Sequence, residues 1–506
     1  MSRRWLKWAL GIGAAVLVVL VGAFLWLARP SKITAMVQQG LDEHLSLDAT
    51  IDQVSVHILP RPRVRGQGLS IRVPDQPDLP PFIAIDEFDV NIGLFSLMRK
   101  QVDTVVARGL RIAVPPGDVR DELPRPEGGG DPSEIIIRNF LTEDAVLLFV
   151  RKEPDKKPLQ FTIHDLHVRD IGFNLAMPFD AILTNPVPTG LVTAHGSFGP
   201  LLPGQVVQSP LEGEYKFENA DLGTINGIGG TLQSTGRFAG VIQRIDVQGE
   251  ASVPDFSLDL GGRPVPLTTE FDAVVTGTNG TTVLNRVDAV LVETPMVVEG
   301  AVLNLEGPGN RALEFGVKID DGRIEDILAL VIDAPQPVMT GDLTLDARMK
   351  LPPGESRVVQ RLEVDGRFGL TETQFTEKGV QSKMEAFSRR AQAIDEDDPL
   401  GRVMTNLRGQ VRLARGSARL TNLTFQVPGA RVALAGTYAL TSGELDFEGE
   451  LRMDATVSEA VGGFKSIFIK PFNALFRKDG AGAVVPIKIT GTREEPKFGV
   501  RFGAIF

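Results

Sequence analysis

The stretch "VVPIKITGTREEPKFGV", residues 484–500, decides how this chain is read. Val485, Ile487 and Ile489 alternate with Pro486, Lys488 and Thr490. After a polar turn, Phe498, Val500 and Phe502 alternate with Lys497, Gly499 and Arg501. A period of two is that of a β-strand with one apolar face and one wet face. Nothing nearby carries a catalytic pattern. The question is what the apolar face meets.

The same period runs through most of the chain. Val54, Val56 and Ile58 alternate with polar residues, as do Leu69, Ile71 and Val73, then Phe88, Val90 and Ile92, then Leu110, Ile112 and Val114. It continues in "LEFGVKID" (313–320), "LTLDARMKL" (343–351), "LTFQV" (423–427) and "LDFEGELRM" (445–453). Asn226-Gly227, Asn279-Gly280, Pro352-Pro353-Gly354 and Ser442-Gly443 mark turns between runs. The spacing follows no strict repeat. Helical spacing is confined to 31–45, 322–331, 382–394 and 458–476, the last interrupted at Pro471. Residues 115–134 and 395–399 read as loops.

This distribution poses a packing problem. A strand with one apolar face must cover that face. A few short helices cannot cover several hundred residues of half-apolar sheet. Two sheets can pack as a sandwich, one sheet can close as a barrel, or an open trough can take an apolar ligand. Periodicity does not choose among them.

Composition narrows the classes of function. Hydrophobic residues are 42% of the 506, too many for a disordered chain. Cysteine is absent, which removes disulfides, zinc–thiolate sites and cysteine nucleophiles. A net charge of −11 argues against nucleic acid as the main partner.

Residues 9–27, "ALGIGAAVLVVLVGAFLWL", carry no charge. As a helix they would extend about 28 Å, near the ~30 Å hydrocarbon core of a bilayer. Arg3, Arg4 and Lys7 precede them, and Trp5, Trp8 and Trp26 sit at the ends of the helix. The reading is a retained single-pass anchor with a cytoplasmic N-terminus, sending residues 31–506 across the membrane. A cleaved signal peptide is the alternative, though Trp26-Leu27-Ala28 is a poor cleavage site.

The search for chemistry yields little. His164 and His167 in "IHDLHV" (163–168) invite a metal reading, but three residues apart on a strand they face opposite ways. The run Asp395 to Asp398 lacks the spacing of a calcium loop. "TINGIGG" (224–230) is followed by no Gly-Lys-Ser/Thr. The segment 461–478 combines large apolar residues with the basic Lys465, Lys470, Arg477 and Lys478. Phe464, Lys465, Phe468, Lys470, Phe472 and Phe476 make it a candidate membrane-interface helix, or a helix packed over a sheet end.

The C-terminal stretch 420–500 resembles bacterial AsmA-family proteins. "VPGARVALAGTY", "SGELDFEGEL", "KPFNALFRKDGAGAVVPIKITGTREEPKFG" and, upstream, "EAFSRRAQ" (385–392) carry the resemblance. "LDATIDQVSVHILPRPRVRGQGLSI" (47–71) and "PPFIAIDEFDVNIGLFSLMRKQVDTVVARGLRI" (80–112) are similar to that family's first domain. The resemblance spans residues 1–115 and 380–506; the middle matches only in its wealth of strands.

The resemblance implies a mainly β fold. One N-terminal transmembrane helix would precede an elongated, twisted antiparallel sheet, curled into an open apolar groove with a few short helices. TamB-like and chorein-type proteins would be relatives. The implied organisation is an anchor at 1–30, an AsmA-like β region at 31–115, a linker at 116–134, a central β region at 135–380 and an AsmA-like region at 381–506. It further implies inner-membrane anchoring in a Gram-negative bacterium, with the bulk of the chain periplasmic. The function would be transfer of glycerophospholipids toward the outer membrane. The partners would be phospholipid acyl chains, the inner membrane, and the outer membrane or one of its proteins. No nucleic acid, cofactor, metal or catalytic residue is implied. A periplasmic scaffold for outer-membrane protein assembly is the rival. The candidate groove-lining residues are Phe315, Val317, Phe425, Val427, Ile487, Ile489, Phe498 and Val500.

Overall fold

The structure is a computed structural model. It describes residues 48–57, 63–72, 79–93, 101–114, 136–150, 158–202, 206–304, 311–376, 404–453 and 484–500. Positions 173–174, 226, 260, 278–279, 355 and 493–494 are excepted, and 96, 381, 382, 385, 388, 389 and 392 are added. Internal contacts divide the chain into two units, Met1–Ala220 with Thr235–Ile245, and Asp221–Ser234 with Asp246–Phe506.

The first unit contains β1 (Asp48–Thr50), β2 (Gln53–His57), β3 (Arg63–Arg72), β4 (Ile83–Asn91), β5 (Gln101–Val102), β6 (Thr104–Arg108) and β7 (Arg111–Val114). Then follow β8 (Ile136–Phe149), β9 (Leu159–Ile171), β10 (Met177–Pro186), β11 (Thr189–Phe198) and β12 (Pro210–Asp221). Pairing is antiparallel except that β5, β6 and β7 run parallel to β8. Residues directly opposite on neighbouring strands share a face. One apolar line therefore runs Ile71, Ile83, Ile112, Leu147, Phe161. A second runs Val54, Gly66, Phe88, Ala107, Thr142, Leu166, Ala181, Ala194. Ala107, Leu110 and Ala145 are its buried centre, packed by Ile83, Ile85, Phe140 and Ile163.

The boundary between units passes through β14 (Thr231–Val241) and β15 (Arg244–Leu258), after the short β13 (Ile228–Gly229). The second unit continues with β16 (Val265–Val275), β17 (Thr282–Leu291), β18 (Thr294–Asn304), β19 (Arg311–Arg323), helix α1 (Ile324–Ala329) and β20 (Met339–Leu351). Then come the short helix α2 (Val358–Arg361), β21 (Glu363–Phe375), β22 (Thr405–Ala414), β23 (Ser417–Val427), β24 (Ala430–Ala439), β25 (Glu444–Met453), β26 (Val484–Thr492) and β27 (Pro496–Val500). From β16 onward each strand pairs antiparallel with the next.

Because the strands alternate in direction, β16, β18, β20, β22, β24 and β26 begin at one rim of the sheet. That rim carries α1 and is called the α1 rim. The hairpin rim opposite is turned by connections such as Arg415-Gly416. Both residues there have positive φ, 52° and 71°, as a two-residue hairpin of that twist requires.

Bulges recur near the α1 rim. The pairing register shifts between Ile319 and Gly322, Thr340 and Asp342, Leu370 and Thr373, and Leu420 and Leu423. Glu372 and Asn422 take positive φ there, 52° and 51°. A bulge bends its strand and raises the local twist. The apolar side chains stay on one face across each shift.

The structure corrects the sequence reading in one respect. Among the described residues no helix is long and apolar enough to cross a membrane. The described residues are mainly β and hold no spanning helix, which corrects the single-pass inner-membrane topology and localisation expected from the sequence. Residues 9–27, on which the anchor was placed, lie outside the described residues. So do 31–45, 116–134 and 458–476, and with them Phe464, Lys465, Phe468, Lys470, Phe472 and Phe476. The expected helix at 322–331 is present as α1. Within 382–394, positions 382, 385, 388 and 389 are helical.

Candidate functional site

The second unit presents one apolar face across β18 to β27. Reading opposite residues from strand to strand gives Val298, Val317, Ala347, Gly366, Val411, Leu420, Gly436, Phe447, Ile489, Phe498. A parallel line gives Leu343, Leu370, Leu407, Phe425, Val432, Leu451, Val485. Among the residues of these lines whose burial is described, most are neither buried nor fully exposed.

The other face is charged and solvated. Lys350 pairs with Glu314 at 3.1 Å, Arg412 with Asp365 at 2.7 Å, and Lys488 with Glu448 at 3.1 Å. Such exposed pairs add little stability each. Their effect is to keep that face wet and so fix which face is apolar.

Glycines shape the apolar face. Gly300 stands opposite Phe315, Gly409 opposite Phe368 and Gly436 opposite Phe447. The place a Cβ would take lies 2.8 Å from Phe315 Cδ1, 3.2 Å from Phe368 Cζ and 2.7 Å from Phe447 Cδ1 respectively. Each ring thus lies across the bare backbone of its neighbour instead of standing on the sheet. A ring covering a cross-strand glycine fills the gap that the missing side chain leaves.

All eight predicted lining residues fall on this one face by register, but in different settings. Phe315, Ile487 and Ile489 are half-buried on the face. Val317 packs into a core with Ile319, Leu343, Leu370 and the α1 residues Ile324 and Ile327. Val427 is 2% exposed and, with Ala430, is packed by Phe425, Leu451 and Met453. Phe498 and Val500 are placed by backbone pairing opposite Ile489 and Ile487. Phe368 and Phe447 belong to the same face and were missed. Their signal was present, since "LEVDGRFGL" (362–370) and "LDFEGELRM" alternate with period two.

Helix α1 folds over the apolar face at its own rim. Ala329 and Leu330 are buried with Val265 and Leu291. Polar contacts lock the helix in place. The Asp326 carboxylate accepts from the Thr294 hydroxyl at 2.8 Å and from the Glu293 N–H at 3.2 Å. Thr294 Oγ1 accepts from the Arg323 N–H at 2.9 Å, and Glu325 accepts from the Gly341 N–H at 3.2 Å. Burial pushes the Asp326 pKa above the usual carboxylate range, against the hydrogen bond from Thr294.

The histidines do not converge. His164 bonds to Thr184 at 2.7 Å, whereas His167 bonds to Asn139 at 3.0 Å on another strand. Among the described residues no three His, Asp or Glu side chains are grouped to hold a metal ion.

Fold and face together define a β-sheet protein whose second unit has one charged face and one apolar face. Compared with protein-family models and with curated proteins, the chain matches none.

Proposed function

We propose that the chain is an AsmA-like protein that binds glycerophospholipid acyl chains on the apolar face of its second unit and passes them along it without a chemical step. The observation that carries this reading is the register. By backbone pairing, apolar residues and glycines stand opposite one another from β18 to β27, and most of the described apolar side chains among them are half-buried. Leaving apolar surface in water costs about 25 cal/mol per Å². An acyl chain laid on it gains about 0.8 kcal/mol for each methylene buried. The low profile of the Phe–Gly pairs and the bulges that bend the strands both suit a flexible chain lying against the sheet. The quoted C-terminal motifs support the same reading.

The test is lipid analysis of the full chain purified in a mild detergent. Co-purifying phospholipid, and uptake of a fluorescent phospholipid from vesicles, are expected. Protein that is lipid-free and takes up none would sink the reading and favour a scaffold.

A further inference from the structure

We propose that the described residues of the 222–230 loop (222–225 and 227–230) and helix α2 form a clasp that holds the two rims of the second unit together and closes its apolar face beneath them. The loop 222–230 belongs to the α1 rim. Ile228 and Gly229 pair with Leu258 and Ser257 at the end of β15, and the Asp259 N–H donates to the Gly227 carbonyl at 3.0 Å. Helix α2 belongs to the hairpin rim, between the end of β20 and the start of β21. The two nevertheless come close together. The place a Cβ would take on Gly227 lies 3.6 Å from Val358 Cγ2.

A flat sheet forbids this contact. The 13 residues of β20 span about 43 Å at ~3.3 Å per residue, which is the separation of the rims in an uncurled sheet. The sheet must therefore curl over one face, and the face is the apolar one. Helix α1 already folds over that face, and the other carries solvated ion pairs.

Both halves of the clasp are built to hold their shape. Gly227 has φ +94°, a conformation that favours glycine. Asp221 accepts from the Gly223 N–H at 2.8 Å at the foot of the loop. On the hairpin rim, Arg361 donates to the Ser356 carbonyl at 2.9 Å and the Pro352 carbonyl at 2.5 Å, tying α2 to its own connection. The far side of α2 rests near the Arg415-Gly416 turn, with Val359 O 3.9 Å from the Cβ place on Gly416.

The consequence rests on the acyl-chain reading. A chain beneath the clasp is enclosed and must pass lengthwise, while side entry is left to the face from β22 to β27.

The test places a photoreactive phenylalanine at Val358 in the full chain and maps the intrachain cross-links. Cross-links to peptide 222–230 are expected; cross-links confined to the 415–416 and 440–443 turns would overturn the clasp. A milder variant, Val358→Ala, should speed amide exchange in 222–230 severalfold, and unchanged exchange there would also overturn it. Fluorescent-phospholipid exchange is then compared between wild type and Val358→Asp. A severalfold faster exchange in the variant is expected, and an equal rate would sink the closing role. Cross-links to 222–230 in protein that binds no phospholipid would leave the clasp standing and remove only the lipid reading.

Discussion

Two aspartates show opposite electrostatics at the scale of single residues. Asp89, 3% exposed, is hydrogen-bonded by Arg63 and Arg65, and the Arg63 bond above all holds its carboxyl below the usual range. Its contribution is present above the ordinary carboxylate pKa of about 3.9 and is lost as pH falls through the lowered value. Asp326 is raised by burial, so its contribution is present at low pH and lost as pH rises through the raised value. Asp89→Asn should therefore cost most at neutral pH and least in acid. Asp326→Asn should gain on wild type as pH rises above about 4. Urea midpoints across pH measure both, and parallel pH profiles for the two variants would contradict these assignments. Thr142 is simpler. It is 1% exposed on the apolar face of the first unit, and its hydroxyl has no hydrogen-bond partner. An unsatisfied buried hydroxyl costs about 1–3 kcal/mol. Thr142→Val keeps the shape and removes that cost, so a rise in stability of about 1 kcal/mol is expected by denaturant melt.

The Phe447–Gly436 pair makes the prediction at the scale of elements. Phe447 is 8% exposed, and a Cβ on Gly436 would lie 2.6 Å from Phe447 Cα. Gly436→Val should destabilise by about 1–3 kcal/mol through overpacking, and Phe447→Ala by about 3–5 kcal/mol through the cavity it leaves. The double variant keeps the backbone contacts at Asp446 O and Phe447 Cα and loses only the one to the ring at Cδ1, so it should fall short of the sum by about 0.5–1 kcal/mol; strict additivity in denaturant melts would count against the pairing. The strands themselves were legible, since period two marks β19, β20, β23, β25 and β26 in the quoted segments. Helix α1 was legible from its spacing. The bulges at 370–373 and 420–423 were not, because Glu372 and Asn422 adopt positive φ under the pull of pairing on both sides, with no glycine to announce it. Nor could the sequence separate Val317 and Val427 from Ile487. The first two are covered by residues distant in the chain or across the strand, which a local pattern cannot report.

The scale of the whole molecule asks whether the apolar face is a core or a surface for another molecule. Adjacent residues on β26 separate the two. Ile487 faces the apolar side, opposite Gly449 and Val500. Lys488 faces the charged side, 3.1 Å from Glu448 and 3.4 Å from Asp446. If acyl chains lie on the apolar face, Ile487→Asp places a charge in their path and must either be desolvated or exclude the chain. Loss of most phospholipid uptake is expected, with the melting temperature lowered by only a few degrees because Ile487 is half-buried. Lys488→Gln removes an exposed ion pair from the opposite face. It should leave uptake unchanged and alter stability by under about 1 kcal/mol. Circular dichroism and vesicle uptake, measured on both variants of the full chain, decide the matter. Equal uptake by two folded variants would mean that this face carries no lipid at β26. Selective loss in Ile487→Asp would place the ligand on the one face that register, glycine pairing and charge all distinguish.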